Sequence, residues 1–178
     1  MKKRTQWLTV TALGIALFVV FSLVLRIPVF GRFYLCLGYL VMGIYCYSFG
    51  ILSGTLVGAL GVLFYCAIVS SFGGMVGWAL GNVVIGISVG WVCRRTKSLR
   101  SELWQIVWII LTVILSTAVG MLLVKSAYES LLSGLPLGVR IAANSAAFFA
   151  DSAVLSVSIP IARSMKRILV KQFPKLCV

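Results

Sequence analysis

The run Met75-Val76-Gly77-Trp78-Ala79-Leu80-Gly81-Asn82-Val83-Val84-Ile85-Gly86-Ile87-Ser88-Val89-Gly90-Trp91-Val92, closed by Cys93-Arg94-Arg95, decides the fold class. It holds no charged side chain over about the length that crosses a bilayer as a helix, and a basic pair stops it. Runs of this kind recur along 178 residues that are 61% hydrophobic and 11% charged, with a mean hydropathy of +1.11. A soluble domain of this size is far more polar. Apolar segments at about 7–25, 34–48, 51–70, 75–92, 103–124 and 139–162 predict an all-α membrane protein, one bundle of six transmembrane helices filling residues 1–178. The first segment follows Met1-Lys2-Lys3-Arg4 and so resembles a signal peptide in charge order. It runs on to Leu25 without an A-x-A cleavage site, which makes it a first span. The second and third segments meet at Phe49-Gly50, where the glycine is the place for a tight turn.

Charge orients the bundle. With the N-terminus inside, Lys2, Lys3, Arg4, then Arg94, Arg95, Lys97, Arg100, then Arg163, Lys166, Arg167, Lys171 and Lys175 all fall on the cytoplasmic side. Only Arg26, Arg32, Lys125 and Arg140 are left for the outer side. Basic loops resist translocation, so both termini are expected in the cytoplasm. The same placement argues against nucleic acid as a partner, because the basic residues sit in breaks between apolar runs and form no stripe on a soluble face. The five cysteines show no C-x-x-C spacing and read as small apolar residues, so no metal site is expected.

Glycines follow a helical spacing: Gly50, Gly54 and Gly58 are four apart, as are Gly77 with Gly81 and Gly86 with Gly90. Small residues on one face let helix backbones approach closely in lipid, either within this chain or toward a partner subunit.

Catalytic chemistry is missing. There is no histidine, the acids are Glu102, Glu129 and Asp151, and no Gly-Lys-Ser/Thr is present to cradle a nucleotide phosphate. The chain is therefore expected to be no enzyme and to need no cofactor, and any ATP hydrolysis must come from other chains. What remains is a short set of polar residues at bilayer depth. Arg140, Asn144 and Asp151 are four and seven residues apart and share one helix face, with Asp151 about 16 Å deeper than Arg140 at ~1.5 Å per residue. Arg140 can snorkel to headgroups or meet an anionic ligand group. Asn144 and Asn82 lie at matched depth on different helices, where they can line a shared polar cavity or act as interhelical glue. Tyr39 and Trp78 are candidate apolar walls, with the segments around Arg32–Tyr39 and Ser70–Met75 as a lid. Asp151, an acid inside the bilayer, is a functional candidate or a buried helix clamp.

Taken together these features resemble the substrate-binding S component of energy-coupling factor (ECF) transporters, the bacterial vitamin importers. The resemblance is carried by size and topology, by Ala12-Leu13-Gly14-Ile15-Ala16, and by the stretches Leu37-Gly38-Tyr39 through Phe49-Gly50, Gly54 to Gly61 and Gly77 to Gly86. It implies a multi-pass protein of the bacterial cell membrane that captures a vitamin from outside. It further implies docking through Ala12 and Ala16 onto a transmembrane coupling subunit that works with two cytoplasmic ATPases. An arginine with two asparagines suits the carboxylate and amides of pantothenate, with folate, riboflavin, cobalamin and pyridoxine left open. The competing expectation is a stand-alone proton-coupled secondary transporter using Asp151.

Overall fold

A computed structural model describes residues 2–24, 26–30, 33–69, 73–98 and 101–172. Helix α1 (Lys2–Val24) leads into a β-hairpin of β1 (Arg26–Phe30) and β2 (Phe33–Cys36), followed by α2 (Gly38–Phe49), α3 (Ile51–Ile68) and α4 (Met75–Arg95). A short 3-10 turn (Thr96–Ser98) closes α4. Then come α5 (Glu102–Thr117), a π-helical stretch (Ala118–Lys125) that runs without a break into α6 (Ser126–Ser133), and finally α7 (Leu137–Gln172). Among the described residues five helices are long and apolar enough to cross a membrane: Arg4–Val24, Ile51–Ile68, Met75–Ser98, Glu102–Ser133 and Leu137–Lys166.

The expected span at 34–48 is corrected. Its first residues pair instead in the antiparallel hairpin, with Arg26 opposite Cys36 and Ile27 opposite Leu35. β-branched and aromatic residues favour this extended form, and Pro28 is tolerated because each strand of a two-stranded sheet has a free edge. The remaining α2 is about 18 Å long at ~1.5 Å per residue, short of the ~30 Å apolar core of a bilayer. All of its residues except Leu40 are buried. It is the axis of the bundle, packed by α1, α3, α4 and α7. Tyr39 and Met42 are wholly buried around it, together with Phe18, Val57, Ile85, Leu155 and Ile159 from its neighbours.

The last two helices outrun their expected bounds. The run predicted at 103–124 continues through the π stretch to Ser133, and the one predicted at 139–162 extends from Leu137 to Gln172. Gly134 between them takes φ +66°, a left-handed cap that its lack of a side chain permits, and its N–H donates to the Ser130 carbonyl. Gly50 likewise turns the chain between α2 and α3 with φ 87°, at the position expected for the turn.

The glycine series are internal packing faces. Gly54 and Gly58 of α3 seat Cys46 and Met42 of α2, and Gly86 and Gly90 of α4 meet Thr55 and Ile51 of α3. Gly81 of α4 touches the backbone of Gly120 in the π stretch. Cys36, Cys46, Cys66 and Cys93 are buried and free, as small apolar fillers. The element order places the hairpin, the start of α4, the end of α6 and the start of α7 at one end of the bundle. The start of α1 and the ends of α4 and α7 lie at the other, where Arg163 pairs with Glu102.

Candidate functional site

At the hairpin end three helices are joined by one buried side chain. Asn82 of α4, fully buried, donates from Nδ2 to the Gly58 carbonyl of α3 (2.9 Å). Its Oδ1 accepts from the Tyr39 hydroxyl of α2 (2.7 Å). Trp78, one turn before Asn82, donates Nε1–H to the same hydroxyl (2.8 Å). Tyr39 Oη thus gives its one proton to Asn82 and receives one from Trp78. Met121 Sδ of the π stretch lies 3.8 Å away, and Asp151 on α7 is buried within electrostatic reach of the hydroxyl. Aromatic rings enclose the group: Phe18 packs edge-on to Tyr39 with centroids 6.1 Å apart, and Tyr65 does so to Trp78 at 5.9 Å.

Tyr39→Phe removes both bonds and leaves a part-buried indole N–H and a buried amide oxygen without this partner. Intramembrane hydrogen bonds average only about 0.6 kcal/mol each, and the orphaned partners add to that, so a loss of about 1–2 kcal/mol is expected. The check is the unfolding midpoint in graded denaturing detergent, followed by tryptophan fluorescence. An unshifted midpoint means that this network does not hold the bundle.

A second polar cluster lies between α6 and the start of α7. Asn144 donates to Ser126 Oγ (3.0 Å) and to Glu129 Oε2 (3.0 Å). Glu129 is flanked by Lys125 Nζ and by an Arg140 guanidinium nitrogen, each at 3.9 Å. Arg140 Nε donates to Ser133 Oγ (3.2 Å). Lys125 connects the clusters, since its ammonium lies 5.5 Å from the centroid of the Trp78 ring, within cation–π range. A path of contacts therefore runs from Asn82 through Tyr39, Trp78, Lys125 and Glu129 to Arg140 and Asn144. Against its outer part opens a cleft of about 510 Å³ lined by Gly73, Gly74, Glu129, Leu132, Ser133 and Arg140, within the ~300–1,000 Å³ of small-molecule sites.

The sequence reading of a shared cavity is thus altered. Arg140, Asn144 and Asp151 do face inward together, but Asn82 and Asn144 do not meet, and neither is among the residues lining this cleft. Each has its own partners, and only Arg140 of the three lines the opening. Tyr39, a candidate wall in the sequence, is fully buried and is a hydrogen-bonding hub, and neither it nor Trp78 is among the residues lining this cleft. Of the lid segments, Arg32 and 70–72 lie outside the described residues. Glu129 and Lys125 were missed as site residues because they sit in what reads as an outer connection. Their i,i+4 spacing was the available signal for a helix there. Ala12 and Ala16 are exposed on α1.

The sequence matches the family model described as the ECF-type riboflavin transporter, S component, over residues 2–167. The chain belongs to this family. The fold agrees: the crystal structure at 2.1 Å of the S component for biotin from an ECF-type ABC transporter is similar, with a TM-score of 0.61 at 17% identity over 93% of each chain. No curated protein matches the sequence. The S component is a vitamin-binding, non-enzymatic subunit of a bacterial transporter and a multi-pass membrane protein. That membership displaces the stand-alone proton-coupled carrier, and with it the need for Asp151 to move protons.

Proposed function

We propose that this S component captures riboflavin at its hairpin end. The observation that carries the reading is the continuous polar and aromatic path from Tyr39, Trp78 and Asn82 to Arg140 and Asn144, beside the cleft, in a bundle that is otherwise oily. Riboflavin has a flat three-ring head and a hydroxyl-rich, uncharged tail. The aromatic group around Tyr39 and Trp78 suits the head, and the carboxylate, amide and hydroxyl groups of Glu129, Asn144 and Ser133 suit the tail. Pantothenate fits less well, because the guanidinium that would meet its carboxylate is already paired with Glu129.

In this reading the chain is a single domain of six membrane helices, α2 being the short inner one, with both termini in the cytoplasm. The basic residues Arg94, Arg95, Arg163, Lys166 and Lys171 lie at the same end as the start of α1, which supports that orientation. Transport then requires partners: a transmembrane coupling subunit, which docks on the exposed face of Ala12 and Ala16, and two cytoplasmic ATPases.

The test is what the detergent-purified protein carries. Mass spectrometry of the denatured sample is expected to find riboflavin near one per chain, and added riboflavin should lose its fluorescence on binding. Pantothenate in its place, or no vitamin retained and none bound, would overturn the assignment.

A further inference from the structure

Glu129 is the acid that lines the cleft, and its position is fixed from every side. Asn144 donates to Oε2 at 3.0 Å, and Lys125 and Arg140 flank the carboxylate at 3.9 Å each. Oε1 lies so close to the start of α4 that a β-carbon at Gly74 would stand 2.9 Å from it. Three elements, α4, α6 and α7, thus aim one carboxylate at the opening. Its side chain is only 14% exposed. Arg140 is held by Glu129 and by Ser133. Without Glu129, Arg140 in the lining of the cleft of about 510 Å³ and Lys125 behind it would both lose their carboxylate partner and favour a phosphate there. With Glu129 in place the two charges in the lining, its carboxylate and the Arg140 guanidinium, offset each other, and the cargo's tail meets no free cation.

We propose that Glu129 sets the cargo's charge class: its carboxylate admits the uncharged polyol and turns away the phosphate ester of the same molecule. This rests on the riboflavin reading above. A phosphate monoester carries about −1.5 to −2 at pH 7, and like charges set against each other in a binding site discriminate strongly.

Riboflavin and its 5′-phosphate, FMN, are titrated into the purified full chain in lipid nanodiscs at low salt, reading flavin fluorescence. The wild type should prefer riboflavin. Glu129→Gln, which keeps the shape and the Asn144 bond, should lower the riboflavin-to-FMN affinity ratio by about tenfold or more. Arg140→Gln removes a cation beside the intact carboxylate and should raise the ratio. It carries the test on its own if Glu129→Gln does not fold. A wild type that binds riboflavin, with a ratio unmoved by either variant, overturns the role of Glu129 alone. A wild type that binds no riboflavin overturns the cargo assignment as well.

Discussion

Gly81→Leu is expected to abolish vitamin binding and to leave little monodisperse protein. A β-carbon at Gly81 would lie 2.6 Å from the Gly120 carbonyl oxygen, and one at Gly120 would lie 2.7 Å from the Gly81 oxygen. Both obstacles are backbone, so no rotamer change relieves them. Helix α4 and the π stretch must part instead. Overpacking of this kind costs about 1–3 kcal/mol and sometimes more. Here the displacement also carries Trp78 and Asn82 away from Tyr39, Met121 away from Tyr39 and Lys125 away from Trp78, because Gly81 and Gly120 sit within a turn or two of all of them. The π stretch strengthens this expectation. π-helical insertions concentrate at functional sites, and this one brings Gly120 against α4 and sends Met121 and Lys125 toward the hub. Gly81→Ala should give a smaller loss of the same sign. Gly138→Ala is the control, since nothing lies within 4 Å of its β-carbon, and it should fall within about ±0.5 kcal/mol of wild type. Size-exclusion profiles, melting in detergent and riboflavin titration read the series. A Gly81→Leu protein that melts and binds as wild type would mean the two backbones are not in contact.

The sequence made the glycine faces legible because their meaning is local. A small residue every fourth position marks a side of a helix whatever it meets, and Gly50 at an apolar junction marks a turn. It did not reveal what each face meets. Helix α2 shows the limit most clearly. Tyr34 to Ser48 is as apolar as a lipid-facing span, yet its beginning is strand and its helix is enclosed by protein. Periodicity cannot separate these cases, since a helix buried on all sides has no polar face to mark it. The site divides the same way. Trp78 and Asn82 are four apart on one face, and Arg140, Asn144 and Asp151 share another, so those sets were readable. Tyr39 joins the first set through a contact 43 residues away in sequence, which no local pattern encodes. Glu129 was hidden for a different reason. The polar run Lys125-Ser126-Ala127-Tyr128-Glu129-Ser130 looks like a loop, and it stays helical because Asn144 and Arg140 on α7 satisfy its polar side chains.

Replacing Ala12 and Ala16 together by tryptophan should reduce riboflavin uptake to background in cells that hold the coupling subunit and ATPases, while the purified protein binds riboflavin within about twofold of wild type, as expected of exposed substitutions. The two faces of α1 explain the split. On the inner face Gly14 seats the Tyr45 ring and Val57, the Val10 carbonyl accepts from the Tyr45 hydroxyl at 2.9 Å, and Phe18 is fully buried against Gly61. Ala12 and Ala16 are ~200° from Gly14 at 100° per residue and are exposed, beside the exposed Leu8, Leu13 and Val20. Among the described residues the pair is exposed, so bulk added there points away from the bundle's interior. Two small residues four apart on a free helix face are what close helix–helix approach in lipid requires. A coupling subunit's helix seated on them would be held off by indole rings. Tryptophans at Leu8 and Val20 are the comparison, because a leucine or valine already sets the spacing at those positions. Uptake should survive there. If Ala12→Trp/Ala16→Trp loses cargo binding together with uptake, the face is structural, and if uptake persists, the coupling subunit docks elsewhere on the bundle.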